Sequence, residues 1–209
     1  MAVISSYSTL LTEVASWLAR SDLTAAIPGF VQGFEEDFLM DPENHAPWME
    51  NALSVTLSNN VAAVPTSPQY LGLKIAYFSG YAPLKRVTLE QLYSRYPRGR
   101  GSAGVACFVA RNGSNFEFGP ENQSGDLLGT YYGKPTLLRN FAADAAAHFL
   151  IVNAPQLCLY GSLLQAEPFL KEDERVLLWK SAYDLQVASY RKRFTNEAWS
   201  GSAPFTVAM

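Results

Sequence analysis

The chain has 209 residues, 48 % of them apolar and 17 % charged, and carries a formal net charge of −3. That length suits one domain, or one domain with a sizeable insertion, and the apolar share is ample for a packed core, which excludes a disordered chain. The near-balanced charge gives no global basic face and argues against a general nucleic-acid binder.

The opening MAVISSYSTLLTEV lacks a basic segment followed by an apolar run, so no secretory signal is expected. Nowhere does the chain approach the ~18 uninterrupted apolar residues of a membrane helix, and a soluble protein without a membrane partner is expected. Cys107 and Cys158 lie far apart among apolar neighbours and read as two reduced, buried thiols of a chain made in a reducing cytoplasm. Two matches to a glycosylation sequon, at Asn112 and Asn122, fall in turns and carry no weight without secretion.

Residues 6–40 are predicted to be helical. Ser6 or Ser8 can cap the first helix, and Tyr7, Leu10, Leu11, Val14, Trp17 and Leu18 form one apolar stripe. Ser21-Asp22 breaks it. A second helix accepts Pro28 near its start, where amides lack carbonyl partners anyway. Ile27, Phe30, Val31, Phe34 and Phe38 make its apolar face, Glu35, Glu36 and Asp37 are expected to point to water, and Asp41-Pro42 ends it.

Residues 50–135 are rich in Gly, Pro, Asn and Ser between short β-branched and aromatic runs. Strands are predicted at 53–57, 71–78, 105–111, 115–118 and 127–132, with a hairpin turn at Arg111-Asn112-Gly113-Ser114. A short helix near 88–93 carries Thr88 as its cap and Gln91 at the capping-box position. Short strands with turns predict a small antiparallel sheet. Residues 141–194 are helical again: a short helix over 142–153, another started by Pro155 and running to about 167, and, after Pro168, a long helix from about 171 to 194. In that last helix Val176, Trp179, Tyr183, Val187, Tyr190 and Phe194 advance by threes and fours as one seam. Glu172-Asp173-Glu174 at its start and Arg191-Lys192-Arg193 at its end suit the helix dipole. Residues 195–209 carry no period. The order predicts an α+β, mainly α fold: a helical bundle from both termini (6–40 and 141–194) with an inserted small antiparallel β region (50–135), forming a single domain over 1–194 with an extended tail over 195–209.

Little in this sequence points to catalysis, and no enzyme, cofactor or metal site is expected. Gly99-Arg100-Gly101-Ser102-Ala103-Gly104 matches a dinucleotide-binding fingerprint in letters only: a short helix precedes it and a strand follows, the reverse of what phosphate binding requires. His45 sits in a Pro-bounded turn without a second nitrogen or sulfur ligand at a known spacing. His148 lies four residues after Asp144, which suits a structural helical contact, and no nucleophile elbow is present. Glu35-Glu36-Asp37 and Glu172-Asp173-Glu174 offer paired carboxylates of the kind glycosidases use, but read better as solvated helix faces. The chief polar feature is Arg95, Arg98 and Arg100 with Tyr93 and Tyr96 between them. It can contact a nucleic-acid backbone or pair with a neighbouring subunit's carboxylates, and the acidic net charge favours the second.

From Pro155 the chain reads Pro-Gln-Leu-Cys-Leu-Tyr-Gly-Ser-Leu-Leu, then Ala166-Glu167-Pro168-Phe169-Leu170, an acidic-acidic-Arg step at Asp173-Glu174-Arg175, and Trp179 and Tyr183 along the final helix. This resembles the head-to-tail adaptor family of tailed bacteriophages. Trp17-Leu18, Ser21-Asp22-Leu23-Thr24, Ile27-Pro28 and the 88–97 stretch are similar to the same family. Asp41 to Pro47 and Tyr131-Tyr132-Gly133-Lys134-Pro135 depart from its usual pattern. The resemblance implies a virion neck protein with no enzymatic role. It implies a ring of this chain, twelve-fold like the portal, joining the portal protein to the tail or nozzle protein, with DNA only passing through the channel. It also implies that the carboxy-terminal extension, with Trp199, Pro204 and Phe205, docks onto the portal. The readings left beside it are another virion structural or interaction protein, and a small phage hydrolase.

Overall fold

The computed structural model describes residues 3–58, 60–97, 104–120, 125–141, 148–170 and 174–198. The chain is α+β and mainly α, and it divides into two compact units: one from residues 1–48 and 136–209, the other from 49–135.

The first unit is helical. Helix α1 (Tyr7–Leu18) starts at Ser6, whose hydroxyl accepts the Thr9 amide while Thr9 answers to the Ser6 backbone, and it buries Leu10, Val14 and Leu18. After a 3-10 turn (Ser21–Ala26), helix α2 (Ile27–Met40) buries Ile27, Phe30, Val31, Phe34 and Phe38, the stripe predicted for it. Glu35 is the exception to its expected exposure. It is 1 % exposed, and both its carboxylate oxygens accept the Leu138 backbone N–H at 3.0 Å. Three successive acids read as a wet face, yet the helical angle carries Glu35 to the side where a chain segment 103 residues away needs a buried acceptor.

Helix α4 (Phe149–Asn153) is shorter than the one predicted over 142–153, and residues 142–147, Asp144 among them, lie outside the described residues. His148 is its N-cap, so it precedes the helix instead of standing inside it. Helix α5 (Pro155–Gln165) begins at its proline as expected. It crosses α2 closely because residue 161 is glycine: a Cβ there would lie 2.1 Å from the Phe34 ring. Helix α6 (Arg175–Ala198) starts later and ends later than predicted. Arg191, Lys192 and Arg193 therefore miss its last turn, and the dipole argument for them fails. Arg191 is used otherwise: its guanidinium pairs with Asp41 at 2.6 Å, with Glu43, and with Asn44 Oδ1 at 2.8 Å. Lys171, Glu172 and Asp173 lie outside the described residues.

Among its described residues the second unit holds seven strands in two sheets, where one antiparallel sheet was predicted. Strand β1 (Glu50–Thr56) and β3 (Tyr70–Phe78) flank β7 (Asp126–Gly133) in an antiparallel three-stranded sheet. The other sheet runs β2 (Val61–Ala63), β6 (Asn115–Gly119), β5 (Phe108–Asn112), β4 (Lys85–Arg86), with β4 parallel to β5. β2 and β4 were not foreseen; at three and two residues they are defined by their partners, since no periodicity fits in so short a run. In the β5–β6 hairpin Asn112 pairs with Asn115, which leaves Gly113-Ser114 as the loop, with Gly113 at φ +59°. The positive φ is supplied by glycine alone, at the first loop position, as a type II′ turn requires. Helix α3 (Leu89–Arg95) carries the predicted Thr88–Gln91 capping box. The core of this unit is aromatic and aliphatic, with Phe78, Phe116, Phe118, Leu127 and Tyr131 buried among smaller residues.

Candidate functional site

Among the described residues, several groups able to do chemistry are occupied in holding the fold. His148 Nδ1 accepts the Leu150 N–H at 3.3 Å, and its Nε2 lies 3.1 Å from the Thr136 carbonyl and 3.8 Å from Glu35. That assignment needs a neutral ring with the proton on Nε2. Burial lowers its pKa below 6.5, against the opposing pull of the Thr136 carbonyl, and so keeps it neutral. Burial likewise lowers His45. Cys158 is buried, and burial pushes its thiol up; Cys107 is exposed, contrary to expectation, because it sits just before β5 on the solvent side. Tyr190, with its hydroxyl receiving the Trp48 indole N–H at 2.9 Å, is pushed up to about 12 by burial. Among the described residues no group of three or more His, Cys, Asp or Glu is placed to hold a metal ion.

Of the predicted partner residues, Arg95 is described. It is exposed at the end of α3, its guanidinium 5.2 Å above the Phe108 ring. Beside it an open groove of about 510 Å³ is lined by Tyr81, Pro83, Lys85, Tyr96 and Val105 together with Phe108. Tyr96 faces this groove, but Tyr93 does not join it: its hydroxyl donates to the buried carboxylate of Glu117 at 2.5 Å. The expected interleaving of two tyrosines with the arginines is thus reduced to one. Arg98, Arg100, Trp199, Pro204 and Phe205 lie outside the described residues.

Sequence reading missed an exposed apolar surface of the helical unit. Helix α6 presents two apolar sides. Toward the core, Trp179, Tyr190 and Phe194 are buried; Tyr183 packs edge-on to Phe34 at 6.2 Å, and Tyr190 on Phe38 at 5.0 Å. On the opposite side Leu177, Leu178 and Leu185 are 73 %, 71 % and 68 % exposed. The signal was present, since at 100° per residue these leucines fall opposite the aromatic seam. It was masked because the seam alone accounts for a buried helix.

A groove runs along each flank of this leucine ridge. One, of about 290 Å³, is aromatic: Trp17 and Tyr160, in edge contact at 5.8 Å, with Leu178, Trp179 and Arg175. Arg175 is held there by the Trp17 carbonyl at 3.1 Å and by the Trp179 ring, 5.2 Å from its guanidinium. The other, of about 470 Å³, has Phe38, Tyr183 and Val187 in its floor and Asp37, Asp41 and Asp184 along it. Such an arrangement suits binding, with apolar surface to bury and charged edges to set register.

No helix among the described residues is long and apolar enough to cross a membrane. A family model described as the SU10 adaptor protein matches the chain over residues 5–207. No curated protein matches it.

Proposed function

The chain belongs to the SU10 adaptor family, a family of phage head-to-tail adaptors, and on that premise we propose that it is a structural protein of the virion neck. An adaptor is a non-enzymatic part that meets other capsid or tail proteins. Here the chain forms a ring of twelve copies beneath the portal, joins it to the tail or nozzle protein, and continues the channel through which DNA passes. The chain acts as one adaptor domain, in which helices from both ends of the chain form a bundle and the β region is an insertion in the sequence between them. Residues 195–198 close helix α6, so the docking role falls to the arm of residues 199–209, with Trp199, Pro204 and Phe205 as the contacts to the portal. Arg95, with Arg98 and Arg100, faces a neighbouring subunit.

The observation that carries this reading is the family match across nearly the whole chain. The exposed leucines of α6 support it, since an apolar ridge of this kind is what a subunit of an assembly covers with a partner. Co-sedimentation of the full chain with its portal tests the docking. The intact chain is expected to migrate with the portal, and a chain lacking residues 200–209 to remain behind while keeping its circular-dichroism melt. Equal co-sedimentation of both would sink the docking role of the arm.

A further inference from the structure

We infer that the leucine ridge of α6 seats in the acid-rimmed groove of a second copy of this chain, between α2 and α6 of that copy. The inference rests on the ring reading and names the surface that builds the ring. Leu178 and Leu185 stand seven residues apart, two helical turns, which is the repeat of a helix–helix seam, so the ridge is shaped for a helical partner. Lys192 follows at the next heptad position and is exposed, giving the ridge a cation at one end.

The groove offers the complement. Its floor is apolar, from Phe38, Tyr183 and Val187, and its rim carries Asp37, Asp41 and Asp184 with one cation, Arg191. Asp41 is engaged by Arg191 and Asp37 by the Gln165 amide at 2.8 Å, while Asp184 is exposed and has no hydrogen-bond or ion-pair partner among the described residues. An apolar ridge ending in a lysine thus faces an apolar floor edged by an aspartate: shape and charge agree.

Ridge and groove are different patches of one subunit. Pairing one with the other is a heterologous contact, the kind that builds a ring where its rotation closes, whereas a two-fold dimer needs a patch that pairs with itself. The area is also of the right order. From Leu177 to Lys192 the ridge runs about 22 Å, and a strip ~10 Å wide covers about 220 Å². That is roughly a quarter of the ~800 Å² each partner gives to a standard interface, so the ridge forms its centre and flanking elements complete it.

Sedimentation velocity of the full-length chain over a concentration series, alone and with portal, reads the result. Leu178→Glu with Leu185→Glu is expected to raise the concentration needed for assembly by about thirtyfold, with the thermal melt unchanged because both positions face solvent in the isolated subunit. Asp184→Lys and Lys192→Asp should each weaken assembly by about two- to fivefold, and the two together should restore it. Rings that persist unaltered in the leucine variant, or a charge swap that fails to restore assembly, overturn the inference while leaving the ring reading intact. Loss of portal binding with self-assembly untouched also overturns it, by giving the ridge to the portal. A wild-type chain that stays monomeric both alone and on the portal removes the ring reading and this inference with it.

Discussion

Leu178 and Trp179 are adjacent on α6, and the two lead opposite lives: Trp179 is 4 % exposed and Leu178 is 71 % exposed. One residue step turns the side chain by about 100°, from the seam packed on α2 and α5 to the ridge that faces out. Both sides of the helix are apolar in letter. What separates them is geometry and chemistry: the inner side is aromatic, interlocked ring on ring, with its polar tips bonded, as Tyr190 shows through Trp48 and the Asn44 carbonyl. The outer side is aliphatic, with serine, alanine and lysine between the leucines, and nothing among the described residues covers it. Apolar periodicity therefore marks a side that gains by being covered, and does not by itself say whether its own chain covers it.

Substitutions along the helix can break or sharpen this contrast. Trp179→Ala should cost about 3–5 kcal/mol of unfolding free energy, read by denaturant titration; a change within error would place Trp179 on the partner side instead. Next in size, Glu35→Leu leaves the buried Leu138 N–H without its acceptor and should cost about 1–3 kcal/mol, seen as a lower melting temperature. An unchanged melt would show that the carboxylate is dispensable to the core.

A smaller effect is expected from pH. Burial holds His148 below its ordinary 6.5, so on acidification the unfolded chain takes up the proton first. Stability is full above about pH 6.5 and declines as pH falls below it, levelling once the folded ring is also protonated. His45 is shifted the same way, so His148→Asn should remove only part of the decline between pH 7 and pH 5. A melt independent of pH across that range would contradict the neutral capping role. Smallest of all, Leu185→Ser should move subunit stability by no more than about 0.5 kcal/mol, although it sits on the same helix as Trp179. A large loss there would mean that the ridge is core.

The sequence was most legible where local chemistry decides. The cap at Thr88, the prolines at the starts of α2 and α5, and the stop at Asp41-Pro42 stand where the residues alone placed them, and of the two serines offered for α1 the cap is Ser6. The apolar face of α2 was equally plain. Contacts across long stretches of chain were not. Glu35 reads as solvated in Glu-Glu-Asp and is buried by a segment a hundred positions away; β4 exists only because β5 lies beside it; Arg191 reads as a dipole partner and instead ties α6 to the Asp41–Asn44 turn. For the candidate surfaces, the Arg-rich loop was visible as composition, whereas the leucine ridge needed the helix to be placed against its neighbours before its outer side could be known.

Electron microscopy of the virion neck, with this chain marked by a bound antibody fragment, tests the central claim most directly. A head-to-tail adaptor predicts marked density in a closed ring immediately beneath the portal and coaxial with the DNA channel. Marked density elsewhere in the particle, or none in a virion whose neck is otherwise complete, would contradict it.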